Sequence, residues 1–380
     1  KRASDDTAAT NVFEDAKGDV TYLSRADHFA NYEEATKAPA SAELGEPYVS
    51  EYHLNKNFDK TTYLNDKDKM PTTGADNGLT LADMRDADYD DPRWEKLLDQ
   101  LTVDEMSNMI AMAGYQTAAM DSVGKVGTLD FDGPAAINNN FTGVGSIGFP
   151  IEVVIASTWN KNLAQTWGEC MGKISQEMGA EGWYAPGMNT HRTAFGARNY
   201  EYFSEDAVLT AGQGAAIIKA GHDYGVLIAP KHLAFNDTEI NRTGIAEFMT
   251  EQAARENELR GTQSCIEDAN ALAVMTTYNR VGCVTSNAHT GLLLNILHKE
   301  WGFKGLMSED FIQDPAYTKI HMAVHNGVTM TCNTGDNTMA AVEAVWPYWS
   351  VENASQSEEL LTDLKQAMLY QNYALANSNA

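Results

Sequence analysis

The chain has 380 residues, a formal net charge of −26 from 53 acidic against 27 basic side chains, and an apolar fraction of 43%. That length and apolar content suit one large α/β domain or two ordinary ones with a sizeable core. So acidic a surface repels phosphate backbones and anionic lipid, which argues against nucleic-acid and membrane partners but leaves a neutral ligand unhindered.

Residues 1–91 are rich in Asp, Asn, Lys, Thr and Ala and carry few sustained apolar patterns. They read as an extended N-terminal arm, with VTYLS (20–24) as a short strand. The opening KRASDDTAAT has no apolar h-region and no initiator Met. The expectations drawn are no signal peptide, a cytoplasmic location, and a chain that is a piece of something longer. From Asp91 the text changes. DPRWEKLLDQLTVDEMSNMIAMAG opens a helix after Pro92, and Thr102 with Glu105 predicts a capping box for a second.

Short apolar runs then alternate with amphipathic stretches. Strands are expected at VGTLDF (126–131), VVIAST (153–158), GWYAPG (182–187), VLIAPKH (226–232), LAVMTTYN (272–279), GLMSEDF (305–311) and VTMTCN (328–333). Helices are expected at 163–179, 209–225, 249–269, 289–301, 316–327 and 357–376, several ending in Gly as C-capped helices do. Repeated βα units of this size give either a barrel or an open doubly wound sheet. An open dinucleotide-binding sheet needs GxGxxG at a strand–helix turn, whereas GVGSIG (143–148) is followed by Phe-Pro, and no P-loop is present. The expected fold is therefore a TIM-like (β/α)8-type barrel over 92–380, with an irregular first strand or helix, preceded by the arm over 1–91.

Polar residues gather at the strand ends, where barrel chemistry sits. They include Asp132, Arg192, Lys231, His232, Tyr278, Glu309 and Asp310. No metal-ligand spacing, GxSxG elbow or cofactor motif accompanies them, so no metal and no cofactor are expected. The cysteines, Cys170, Cys265, Cys283 and Cys332, are scattered without a CxxC and read as reduced thiols. KIHMAVHNG (319–327) spaces His321 and His325 for one helix face, read as packing or surface. Trp159, Trp167 and Trp183 read as packing. A carboxylate among hydrogen-bond donors suits a polyhydroxylated ligand.

Several stretches together resemble glycoside hydrolase family 3, the β-glucosidase family, over roughly 95–340. They are FDGP (131–134), ASTWN (156–160), RTAFGARNYEYFSED (192–206), APKHLAFNDTEINR (229–242), VMTTYNRVG (274–282) and EWGFKGLMSEDF (300–311). The resemblance implies a retaining exo-glycosidase that removes terminal β-linked glucose from a glycoside or oligosaccharide through a glycosyl-aspartate. It implies Asp310 as nucleophile, Tyr278 beside it, and Asp132, Arg192, Lys231 and His232 as holders of sugar hydroxyls. Phe311 stands where the family often has Trp and is the stacking candidate. Strand alternation would turn Glu309 away from Asp310, toward a helix cap or a cation. Glu239 is expected to pair with Arg242 or Arg198.

The chain departs from the family in reading AAINNN after FDGP, Thr193-Ala194 after Arg192, and SEDAV without a following Pro. Sugar identity therefore stays open. A β-xylosidase, an N-acetylhexosaminidase and a non-catalytic sugar-binding subunit are the alternatives. In the family the acid/base usually comes from a companion α/β sandwich domain, or in one subgroup from a loop marked KHFPGHG; here the chain reads KHLAFND. The acid/base is thus expected on a companion domain or chain. FEDAKGDVTYLSRADHF (13–29) is similar to the segment that follows such a domain in members carrying it upstream. Homo-oligomerisation is left open.

Overall fold

Pro92 caps helix α1 (Arg93–Gln100). Thr102 and Glu105 close the expected capping box: the Thr102 N–H donates to Glu105 Oε2 at 2.9 Å and the Glu105 N–H to Thr102 Oγ1 at 3.1 Å. Helix α2 (Val103–Ala111) starts there. The computed structural model describes residues 11–17, 21–35, 37, 69–111, 114–139, 142–240, 242, 245–312, 320–333 and 354–378.

Strands follow in chain order: β1 (Gln116–Thr117), β2 (Thr128–Asp132), β3 (Asn138–Asn139), β4 (Val144–Gly145), β5 (Gly182–Tyr184), β6 (Leu227–Ile228), β7 (Ala246–Glu247), β8 (Ala273–Met275), β9 (Arg280–Val281), β10 (Val284–Thr285), β11 (Leu306–Ile312) and β12 (Met330–Asn333). A parallel wall runs through them. β2 pairs with β5 and β5 with β6. A parallel bridge from Leu233 to Thr276 carries the wall on, and β8 pairs with β11 and β11 with β12. Helices α3 (Lys161–Met178), α4 (Ala207–His222), α5 (Arg260–Glu267), the wide π-type α6 (Gly291–Glu300) and α7 (Ile320–His325) occupy the crossovers, and α8 (Glu358–Ala376) follows β12.

Between β12 and β2 stand Ile110 and Tyr115: Thr331 Oγ1 donates to the Ile110 carbonyl at 2.8 Å, and the Asp130 N–H to the Tyr115 carbonyl at 2.9 Å. Among the described residues no strand ladder closes the ring there. β10, β9 and β7 form a separate small sheet. One core lies among the wall, α1, α2 and α8, and takes in Leu81 and Met84 from the arm. The other lies among the wall and α3 to α6.

Three expectations need correction. Residues 153–158 are not a strand; Glu152–Ala156 form one helical turn burying Ile155 and Ala156 and exposing Val154. A short apolar run fits either element, and here only one helical face is covered. Residues 21–24 carry no strand, and residue 20 lies outside the described residues. Trp167 and Trp183 pack edge-to-face at 5.5 Å between centroids, but Trp159 is 73% exposed and packs against no core. The cysteines are free thiols, as expected.

One irregularity matters for function. Along β11 and β12, Ser308 faces Met330 while Phe311 faces Cys332, so β11 carries one extra residue between those positions. Such a bulge interrupts strict alternation of side chains.

The close approach of α3 and α4 depends on Gly168, where an added Cβ would come within 2.5 Å of the Ile217 carbonyl oxygen. The backbone cannot yield as a flexible side chain would. Gly168→Ala is therefore expected to lower unfolding stability by about 1–3 kcal/mol, read as a lower urea midpoint at unchanged slope.

Candidate active site

Asp310 projects from the bulged end of β11 and is only 7% exposed. Its Oδ1 accepts the Phe311 N–H at 2.8 Å, whereas its buried Oδ2 accepts no hydrogen bond. His232 Nε2 is 3.7 Å from that oxygen. Burial raises the Asp310 carboxyl above its ordinary range, opposed by the charges of Arg242, Arg198 and Lys231 and by the Phe311 N–H.

Around it the charges alternate. Lys231 Nζ donates to Asp132 Oδ1 at 2.7 Å and lies 3.7 Å from Glu201 Oε1. Arg198 donates twice to Glu201, at 2.6 and 3.0 Å. Glu239 joins Arg198 at 3.4 Å to Arg242 at 2.9 Å. Arg242 lies over the Tyr278 ring, 4.4 Å from its centroid. Asp132 closes the far end, also accepting from Tyr115 at 3.2 Å and from the Gly133 N–H at 2.7 Å.

These pairings set proton affinities. Against the effect of burial, Lys231 holds the Asp132 carboxyl below its ordinary range, and Lys231 with Arg198 does the same for Glu201. Burial and the neighbouring cations push His232 well below its ordinary value, so the ring is neutral. Its Nδ1 faces the Tyr202 hydroxyl at 3.1 Å and Asn236 Nδ2 at 3.3 Å. With donors on Nδ1, the ring proton belongs on Nε2, aimed at Asp310.

The wall brings Asp132, Lys231, His232, Tyr278 and Asp310 into one neighbourhood. Arg192 is engaged elsewhere: its Nε meets Asp237 Oδ2 at 2.6 Å and its Nη1 meets Glu247 Oε2 at 3.0 Å. The arginines acting on Asp310 are Arg242 and Arg198. Phe311 lies beside Tyr115, with centroids 5.5 Å apart, and lines a small pocket with Thr277, Tyr278, Thr285, Asn287, Glu309 and Asp310. Glu309 therefore does not turn away from Asp310; the bulge lets both carboxylates line the same pocket, and Asn287 Nδ2 donates to Glu309 Oε1. Glu239 pairs with both Arg198 and Arg242, as its position suggested.

A family model, the glycosyl hydrolase family 3 N-terminal domain, matches residues 137–368, more than half of the chain. The chain belongs to glycosyl hydrolase family 3. Among its relatives, β-glucosidase B of Emericella nidulans is 34% identical over 220 residues, 57% of this chain and 26% of that protein. A β-glucosidase of Rhizobium radiobacter is 30% identical over 221 residues, 57% of this chain and 27% of that protein. The family 3 chain thus spans about a quarter of the length of these curated relatives. Solved structures agree. β-Glucosidase 3B from Thermotoga neapolitana, in complex with α-D-glucose, superposes with TM-score 0.65 at 26% identity over 75% of this chain and 43% of that one. The Kluyveromyces marxianus β-glucosidase in complex with glucose gives 0.66 at 26% over 76% and 34%.

The candidate site also holds residues that motif reading did not assign to it. Arg198 lies six residues after Arg192 in one motif, and sequence order alone does not say which arginine turns inward. Glu201 was the available signal: at i+3 on a short 3₁₀ turn (Asn199–Glu201) it fixes the Arg198 side chain. Tyr115 and Tyr202 lie outside the polar strand ends and left no signal.

The raised Asp310 carboxyl means that the native state holds its proton to higher pH than the unfolded chain, whose Asp titrates near 3.9. Native stability from this group is full below that value and is lost as pH rises through the folded one. Asp310→Asn is expected to raise the melting temperature relative to the parent, with little gain near pH 4 and a larger one at pH 7, measured by calorimetry at both.

Proposed function

We propose that this chain is the nucleophile-bearing part of a retaining exo-glycosidase acting on terminal β-linked glucose-type sugars. In this reading residues 92–380 form its TIM-like catalytic barrel and 1–91 its N-terminal arm. The observation that carries the reading is the Asp310 carboxylate, buried, with an unbonded Oδ2 beside His232 and within the field of Arg242, Arg198 and Lys231. Similarity to β-glucosidases supports the substrate class.

In this reading Asp132, Lys231, His232 and Arg198 hold sugar hydroxyls, Arg198 replacing Arg192 in that role, and Phe311 flanks the ring. Asp310 Oδ2 attacks the anomeric carbon. The new C–O bond forms as the bond to the leaving oxygen breaks, with the electron pair going to that oxygen. Water then releases the sugar from the glycosyl-aspartate. The second carboxyl of a retaining pair stands about 5–5.5 Å from the first and must carry a proton. Two of the described carboxylates near Asp310 are poor donors, since Lys231 holds Asp132 and Lys231 with Arg198 holds Glu201 below the ordinary range; Glu239 is paired with Arg198 and Arg242, and Asn287 donates to Glu309. We assign the acid/base to a companion domain or chain, for which the greater length of the relatives leaves room.

The test uses a 2-deoxy-2-fluoro-β-glucoside with a dinitrophenolate leaving group, which departs without acid assistance. Mass spectrometry is expected to find one fluoroglucosyl adduct, on the peptide carrying Asp310. Asp310→Ala should remove labelling, and Glu309→Gln should keep most of it. A label on another residue would overturn the assignment. Natural glucosides should be cleaved far more slowly than aryl glucosides with good leaving groups until the companion is supplied; full-rate cleavage by the chain alone would overturn the missing-acid reading.

A further inference from the structure

The arm segment Asn11–Lys17 threads behind the loop that carries His232. Phe13 is only 4% exposed, edge-on to Phe235 at 6.2 Å and to His289 at 5.4 Å between ring centroids. The Val12 N–H donates to Glu251 Oε2 at 3.0 Å, and the Ala16 carbonyl accepts the Cys283 N–H at 2.7 Å. The receiving surface is shaped for this segment. A side chain at Gly282 would collide with the Ala16 carbonyl oxygen, and one at Gly291 with that of Val12. Two glycines from different elements thus leave room for arm backbone.

From Phe13 a short path leads to the nucleophile. Phe235, which Phe13 contacts, has φ of +70°, a conformation that needs outside support in a bulky residue. Its carbonyl accepts Asn279 Nδ2 at 2.8 Å. The next residue, Asn236, donates to the Tyr202 hydroxyl at 2.8 Å and faces His232 Nδ1. Those donors place the His232 proton on Nε2, toward Asp310.

We infer that the arm segment is a strap and Phe13 a positioning residue: by supporting Phe235 it keeps Asn236 and Tyr202 on His232 and so keeps the His232 proton aimed at Asp310. The consequence for turnover rests on the glycosidase reading; the consequence for His232 does not.

The test therefore has two arms on the full chain. The first is nitrogen-15 NMR of the histidine rings, with His232 assigned from a His232→Gln variant. The parent is expected to show one neutral tautomer with the proton on Nε2. Phe13→Ala should give averaged shifts of mixed tautomers, and Phe13→Leu should restore the parent pattern. Glu251→Ala, which releases the Val12 amide without opening the core, should move the pattern part of the way and serves if Phe13→Ala does not fold. An unchanged His232 pattern in the folded variants, whatever their melting temperatures, would overturn the inference. The second arm is labelling by the fluoroglucoside. Phe13→Ala is expected to slow it by roughly ten- to a hundredfold, and Phe13→Ala with His232→Gln should lose no more than His232→Gln alone; multiplying losses would overturn the path through His232. A parent chain that takes no label overturns the glycosidase reading, and the first arm still decides the strap.

Discussion

A negative charge held almost out of water must be balanced by its surroundings, and Asp310 places that demand on the whole mouth of the wall. Burial alone drives the carboxyl toward its neutral form. Arg242, Arg198 and Lys231 act against that drive, and the Phe311 N–H takes up one oxygen. The other oxygen is left without a hydrogen bond, which is costly in a buried group.

The cations themselves could not remain buried unpaired. Lys231 is 3% exposed and lies between Asp132 and Glu201; Arg198 lies between Glu201 and Glu239, and Glu239 passes the charge on to Arg242. Alternation along this row lets each charge meet its opposite while the row as a whole adds nothing to the net balance. Parallel strand order makes the row feasible. Asp132 ends β2, Glu201 and Arg198 come from the loop after β5, Lys231 and His232 follow β6, and Asp310 ends β11. No single helix or hairpin could bring that set together.

Much of this was legible in the sequence because apolar runs ending in polar residues mark parallel strands feeding one mouth. The placing of Asp132, Lys231, His232 and Asp310 at strand ends followed from that pattern, while the strand expected at 153–158 is a helical turn and β2 pairs directly with β5. What escaped were features that depend on partners distant in sequence. Alternation separated Glu309 from Asp310, and a one-residue register difference between β11 and β12 undid that separation. Two arginines in one motif were indistinguishable until Glu201 and Asp237 were seen to hold one each. Trp159 looked like core because Trp usually is, yet it sits at φ of +54° on an exposed turn. The docking of Phe13 depends on glycines more than 260 residues away, and no local pattern announces it.

The same pairing that stabilises the row also decides which half of an acid/base reaction these residues can perform. A proton donor needs an affinity near the working pH. Lys231 and Arg198 bind their protons more tightly than usual, burial raises Tyr278 and Tyr115, and His232 is neutral with nothing left to give at neutral pH. Glu258, pushed up to about 7, has a suitable affinity, but it is tied to Thr190 at 2.5 Å within the charges of Arg192 and Asp237, not in the row that surrounds Asp310. The described groups around Asp310 thus hold their charges rather than exchange protons near neutral pH. Arg242, Arg198 and Lys231 favour the charged form of Asp310; under the proposed glycosidase reading, the proton for a departing oxygen would arrive on a surface outside the row.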